Sequence, residues 1–454
     1  MLLSISLLLF FNYGFKQKIQ AMKKVEKFLL GLVIMLCLYN PTLKAQDVKI
    51  SGELRPRYEM RHGYKTLIPD DIKAANFVSQ RTRLNAFYGN ENYKFYLSLQ
   101  DVRVWGDVPQ LNKTDMYGPS IHEAWGEVFL SEEFSIKAGR QEIIYDDHRM
   151  FGSVGWAQQA RSHDAALLRF NSGDHKADVG IAYNANGETL FKENYTINSY
   201  KTFQYAWYHG KFNNVSLSFL FLNNGLAYIE NPESESPEEK IAFSQTIGPR
   251  FSYKGDGFGV NAAFYYQGGK NGSNQNLSAL YFGADANFSL GSGFSAGAGM
   301  EYLSGTDTKE IAEGGDDKSF TPFYGTNHKF NGWMDYFYVG NHAGNVGLTD
   351  IFVPIKYQKD KFSATLVPHY FATAATLSMQ QPDGSQEEMK NGLGTEIDFM
   401  VGYAVSQEVN LQIGYSQMLA TETMQVLKGG NHKNSNNWAW VMLTFKPVFY
   451  KTTD

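Results

Sequence analysis

Alternation is the dominant pattern of the chain. From Val48 the even positions Val48, Ile50, Leu54, Tyr58 and Met60 carry apolar or aromatic side chains. The odd positions Lys49, Ser51, Glu53, Arg55, Arg57, Glu59 and Arg61 carry polar or charged ones. Near the other end Val409, Leu411, Ile413 and Tyr415 alternate with Asn410, Gln412, Gly414 and Ser416. A period of two belongs to a β-strand with two unlike faces. Such runs predict eighteen strands, with sixteen as the alternative count. They fall near 48–60, 77–89, 93–105, 121–131, 133–142, 162–171, 175–185, 199–213, 214–224, 241–254, 257–268, 278–290, 293–304, 346–358, 361–373, 393–406, 408–420 and 437–449.

Short polar clusters such as Gly89-Asn90-Glu91-Asn92, Gly255-Asp256-Gly257 and Lys359-Asp360-Lys361 join strands in pairs, with tight-turn chemistry. Longer polar stretches lie between the pairs, at 62–76, 106–120, 186–198, 225–240, 304–345, 374–392 and 421–436. Short turns at one end, long loops at the other and an even strand number are the organisation of an outer-membrane barrel. The predicted fold is all-β: one transmembrane antiparallel β-barrel over 46–454, with short periplasmic turns and long outer loops, in the outer membrane of a Gram-negative bacterium. A soluble propeller would repeat every ~40–45 residues, and no such repeat is found. A soluble sandwich does not account for an apolar, aromatic-rich face that runs through nearly every strand. Pro56, Pro354, Pro368 and Pro447 fall within predicted strands. Having no N–H, they must sit at strand ends or bulges.

Composition agrees with strands: 15% of residues are aromatic, 43 are glycine, and mean hydropathy is −0.36. After Gln46 no apolar run approaches the ~20 residues of a membrane helix. Residues 1–45 read as a secretory signal, with a basic stretch at 23–27, an apolar run from Phe28 to Leu38, and Ala45 before the cut. Met22 is the expected start. Removing this segment leaves 35 basic and 45 acidic residues, so net charge falls from −5 to −10. That balance argues against nucleic acid as a partner. The one cysteine, Cys37, lies in the signal and excludes a disulfide framework.

Ten of the eleven arginines lie between positions 55 and 169; the other is Arg250. Alternation turns Arg55, Arg57, Arg81 and Arg83 away from lipid, where a cation near midplane would cost about 2–4 kcal/mol. Strands ~5 Å apart would line these four into a guanidinium ladder. Guanidinium forks hold carboxylates, and rings of arginine line anion pores. The competing reading is a structural network, because Glu53 and other carboxylates share the face.

The densest mixture of charge, amide and aromatic groups runs from Gly139-Arg140-Gln141 through Asp146-Asp147-His148-Arg149 to Arg161-Ser162-His163-Asp164. A segment this polar between two strands is suited to folding inward and constricting a lumen. It resembles the alginate-export family of outer-membrane barrels, in which a Gly-Arg-Gln start, an Asp-Asp-x-Arg core and an Arg-Ser-x-Asp end recur. The resemblance implies a monomeric barrel that passes an acidic polysaccharide through an arginine-lined pore. Arg140, Asp146, Asp147, Arg149, Arg161 and Asp164 match the motif. His163 stands where an aromatic residue is expected, and Lys451 to Asp454 extend beyond the closing aromatic pair Phe449-Tyr450.

The resulting expectation is a channel for anionic solutes or polyuronate-like glycans. Arg55, Arg57, Arg81 and Arg83 form the track, Arg140, Arg149 and Arg161 stand near the constriction, and Asp146, Asp147 and Asp164 orient them. Glu53 is a further acidic partner in the lumen. No cofactor is implied. Asp146-Asp147-His148 has the ligand types of a cation site, but the neighbouring Arg149 and Arg161 favour salt-bridging. Gly314-Gly315-Asp316-Asp317 reads as a solvated loop tip, and 327–333 as an amide- and aromatic-rich outer loop. His122, His163, His209 and His369 form no nucleophile–base–orienter set legible in sequence, so no enzyme is expected. The alternatives are a general diffusion porin with little charge selectivity and a plugged barrel that binds or adheres through its loops.

Overall fold

The computed structural model describes residues 46–452, apart from 112–117, 198, 235–236, 327, 339–341, 343–344 and 382. The segment 1–45, where the sequence places the signal, lies outside the described residues, as does Asn327. Eighteen strands form one wall. They are β1 (Asp47–His62), β2 (Ala75–Gly89), β3 (Tyr93–Val104), β4 (Ser120–Phe129), β5 (Phe134–Gln141), β6 (His163–Ser172), β7 (His175–Tyr183), β8 (Tyr200–Phe212) and β9 (Val215–Glu230). They continue with β10 (Glu238–Lys254), β11 (Phe258–Lys270), β12 (Asn276–Gly291), β13 (Phe294–Leu303), β14 (Leu348–Phe352 with Ile355–Lys359), β15 (Phe362–Ala372), β16 (Gly392–Ala404), β17 (Val409–Ala420) and β18 (Asn436–Phe445 with Val448–Lys451).

Each strand pairs antiparallel with its neighbours in the chain. The wall closes where β1 meets β18, with Tyr58 opposite Val441 and Ile50 opposite Tyr450. Closure removes the unpaired edge that an open sheet would expose. No described helix is long and apolar enough to cross a membrane; the crossing is made by strands. Outward positions such as Leu54, Leu84, Phe95, Phe264 and Ile413 are exposed apolar groups, and their inward neighbours are polar or buried. Exposed aromatics Tyr93, Phe134, Phe212, Phe258, Phe294 and Phe362 sit beside the short turns, forming the girdle expected at a bilayer interface.

The prolines sit where a ladder is broken. Pro354 and Pro447 separate the two parts of β14 and β18. Pro56 faces β18 between the pairs Leu54–Phe445 and Arg57–Met442. Pro368 faces β14 between Phe352–His369 and Ile355–Leu366. A missing N–H therefore costs one rung and leaves the register on either side intact. One expected loop is shorter than its composition suggests. Within 225–240, β9 continues to Glu230 and β10 begins at Glu238, so that only 231–237 connects them. Pairing continues there because Leu226, Tyr228, Ala242 and Lys240 keep the alternation beyond the expected ends.

Candidate functional site

The site is a lumen filled by two inward loops. Inward alternation on β1 and β2 sets Arg55 opposite Arg81 and Glu53 opposite Arg83. Like charges this close need compensation. Glu53 supplies part of it, its Oε1 accepting from Arg81 at 2.6 and 3.1 Å. The remainder comes from the β5–β6 loop. Arg55 donates to the carbonyls of Gly155 at 2.8 Å and Trp156 at 3.0 Å, and to Gln158 Oε1. Arg57 donates to Trp156 O at 2.7 Å and to Glu59 at 2.9 Å. Arg83 holds Gln100 Oε1 at 2.8 Å, and Gln100 in turn donates to Gln159 O at 3.1 Å. Buried guanidiniums need acceptors, and here main-chain carbonyls provide them.

The β13–β14 connection, 304–347, is the second inward loop. Arg149 is buried, with an Nη 3.2 Å from Glu301 and 3.1 Å from Asn331 Oδ1. Asn331 donates to Glu301 at 2.7 Å and to Asp350 at 3.2 Å. The N–H groups of Trp333 and Met334 donate to Asp398 at 3.1 Å and Glu396 at 2.8 Å. Tyr64 donates to Asp335 and Tyr336 to the Gly63 carbonyl, which ties the loop to the β1–β2 connection. The two inward loops also hold each other: Gly152 N donates to Tyr324 O at 2.8 Å, Thr326 N to His148 O at 2.8 Å, and Arg161 to Gly325 O at 2.9 Å. Around this seam Trp156 stacks on His328 with ring centres 4.0 Å apart, and Arg57 lies 4.1 Å from the Trp156 ring centre. Gly414 makes room behind it, since a Cβ there would come within 2.2 Å of the Trp440 indole.

Three of the cavities beside the plug bear on a path through it. One of about 470 Å³ opens beside the outer ends of β1–β3, lined by Arg57, Arg61, Lys65, Arg103, Trp156 and His328 among others. A second, of about 940 Å³, lies on the β6–β12 side and includes Arg161, Tyr200, Asn224 and Tyr324. The third, of about 830 Å³, lies toward the short turns and includes Arg250, Lys329, Lys356, Trp156 and His328.

A family model for alginate export matches residues 47–437. The chain belongs to the alginate export family. Its barrel is similar to Acinetobacter baumannii OccAB4, at 14% identity over 90% of this chain and 100% of that one, with a TM-score of 0.58. It is also similar to Pseudomonas aeruginosa OpdO, at 13% identity over 89% and 98% with a TM-score of 0.57. A BenF-like porin from Pseudomonas fluorescens Pf-5 aligns at 12% identity over 88% and 99%, with a TM-score of 0.58. A comparison with curated protein sequences finds no match. This member of the family is an outer-membrane channel and not an enzyme.

Within the family motif the residues take several different positions. Arg149 and Arg161 lie in the plug. Arg140 and Asp164 pair with each other at 2.8 Å, both well exposed, while their neighbours Gln141 and His163 turn inward and are buried. The pair stands at the rim of the wall, where both residues border the 940 Å³ cavity together with Arg161. Asp147 pairs with Arg250 at 2.6 Å and also accepts from the Arg149 backbone N–H at 3.1 Å. Asp146 accepts from Trp207 and Ser218 at 3.0 and 2.5 Å. The inward loop carries both carboxylates toward the β8–β10 wall, where Trp207, Ser218 and Arg250 meet them. Gly314–Asp317 is also no free tip, because Asp317 accepts from Ser319 N at 2.8 Å and from Asn271 at 3.0 Å.

Sequence reasoning missed Trp156, Gln158, His328 and Asn331, whose roles depend on contacts made across the lumen. It also missed His122, Glu123 and Glu142, whose ligand atoms lie within 4.8 Å of one another. A register shift between Ser98 and Leu99 turns consecutive residues of β4 to the same face, and the His122–Glu142 hydrogen bond of 2.9 Å accounts for their approach.

Proposed function

We propose that this channel passes anionic solutes, acidic saccharides of the polyuronate class among them, as a single barrel lined by basic groups along β1–β3. The observation that carries the reading is the gathering of Arg57, Arg61, Lys65 and Arg103 around one outer cavity, with Arg250, Lys329 and Lys356 around the chamber beneath. Carboxylates interleave with these groups in both spaces. Many paired, weakly attracting sites suit conduction, because a solute held too tightly would not leave. Arg55 and Arg81 act behind this surface by holding the plug, and Arg83 lies in the same wall.

Reversal potentials in planar bilayers under a salt gradient, with and without added oligouronate, test the proposal. The expected result is anion preference with current blocked by the uronate. Weak selectivity without block would return the protein to a general diffusion porin.

A further inference from the structure

We propose that the stacked pair Trp156–His328 is the constriction of the conduction path, that the path descends along β1–β3, and that the larger outer cavity is blind. The inference rests on the reading of the barrel as a channel but not on its charge preference. Trp156 and His328 are lining residues of both the 470 Å³ outer cavity and the 830 Å³ inner chamber. No residue is common to the 940 Å³ cavity and that chamber. Between those two stands a layer of buried rings: Phe151, Tyr281, Phe320 and Tyr324 are at most 8% exposed. Tyr324 packs on Phe151 at 5.3 Å and Tyr281 on Phe320 at 5.2 Å. Opening that layer would break the hydrophobic centre of the plug.

The Trp156–His328 border differs in kind. It is one stacked pair at 4.0 Å, steadied at its edges by Trp440 at 4.8 Å from Trp156 and by Asp335 at 3.3 Å from His328 Nδ1. A rotation of one ring, at the border of the core where Trp438 lies 5.6 Å from Trp156 and 5.2 Å from His328, joins the two spaces and leaves the Phe151–Tyr324 layer in place. The pair thus sets the size of what passes, and the Arg57 guanidinium beside it gives the opening a cationic edge.

Cysteine substitution tests the route cleanly, because the chain's one cysteine, Cys37, precedes the barrel. In reconstituted barrels, a charged methanethiosulfonate added from the long-loop side should reduce current through Ala157→Cys, which lines the small outer cavity. It should leave Asn184→Cys, in the large cavity, unchanged. Trp156→Ala and His328→Ala should each raise single-channel conductance, by about twofold or more if the pair is the narrowest point. Block through Asn184→Cys alone would overturn the route. Unaltered conductance, or silence, in folded Trp156→Ala and His328→Ala barrels would overturn the constriction. Ion selectivity is read separately, so loss of anion preference with these effects intact would reject the anionic reading and leave the route standing.

Discussion

Arg55 on β1 and Gln158 in the β5–β6 loop lie 103 residues apart and close on one another. Gln158 Oε1 accepts from Arg55 Nε at 3.1 Å and from an Nη at 2.9 Å, while its Nε2 donates to Ser79 Oγ at 3.0 Å. A guanidinium placed inside a wall beside Arg81 requires acceptors, and only an inward loop brings them. The same arginine that alternation turns toward the lumen thereby fixes what fills it.

Removing the amide should loosen this tie. In Gln158→Ala the buried Arg55 keeps its carbonyl partners but loses a side-chain acceptor, at a cost of about 1–3 kcal/mol. The melting temperature in detergent, followed by circular dichroism, should fall. Gln158→Glu, which restores an acceptor beside Arg55, should recover most of it. A melting temperature unmoved by Gln158→Ala would show that the tie carries no stability.

Two arginines of one motif should differ sharply. Arg149→Met leaves Glu301 buried without its cation, and breaking a buried pair costs about 3–5 kcal/mol. Proteolysis within 304–347 should accelerate. Arg140→Ala removes an exposed partner of Asp164, for which about 0–1 kcal/mol is expected, and the loop should be cut at the wild-type rate. Equal effects of the two substitutions would contradict the placement of Arg149 in the plug.

The two faces of the wall can be tested by the same charge. Phe264 is 44% exposed at the middle of β11, where Arg should cost about 2–4 kcal/mol in a bilayer. Thr365 on β15 lines the inner chamber, and Thr365→Arg should refold with wild-type stability while shifting the reversal potential toward anions. Denaturant titration of refolding into vesicles measures the first, and bilayer recording the second.

The strands were legible because two solvents impose the pattern: lipid selects Leu54, Tyr58 and Leu84, and the lumen selects Arg55, Arg57 and Arg81. Each choice is local, so the eighteen strand positions follow from one sequence. The plug was legible only as a polar segment that should turn inward. Its anchors are the carbonyls of Gly155 and Trp156, and a carbonyl is present at every residue, so composition cannot single them out. Arg149 meets Glu301 through a loop connection whose path no periodicity records. The motif resemblance brings Arg140 and Asp164 together but does not say how far along the wall they stand; the ends of β5 and β6 set the pair at the rim of the 940 Å³ cavity.

The helix Glu422–Lys428 in the last long loop supplies a pH-dependent case outside the wall. Burial pushes the Lys428 ammonium down to about 8, while an unfolded lysine titrates near about 10.4. The ammonium packs 5.3 Å from the Phe337 ring centre, with His342 Nδ1 3.4 Å away. Below pH 8 the folded loop bears the full cost of holding a charge there. As pH rises from about 8 to about 10.4 the folded lysine is neutral while the unfolded one is still charged, so the cost disappears and stability increases. Two pKa units correspond to about 3 kcal/mol, and partial exposure of the side chain reduces this to about 1–2 kcal/mol. Lys428→Met should therefore stabilise the loop at pH 7 and have little effect near pH 10.5. The measurement is amide exchange over 421–435 in both proteins at matched pH, where titration elsewhere in the barrel cancels in the difference. A gain that persists unchanged at high pH would mean that methionine packs better than lysine, and that charge has no part in it.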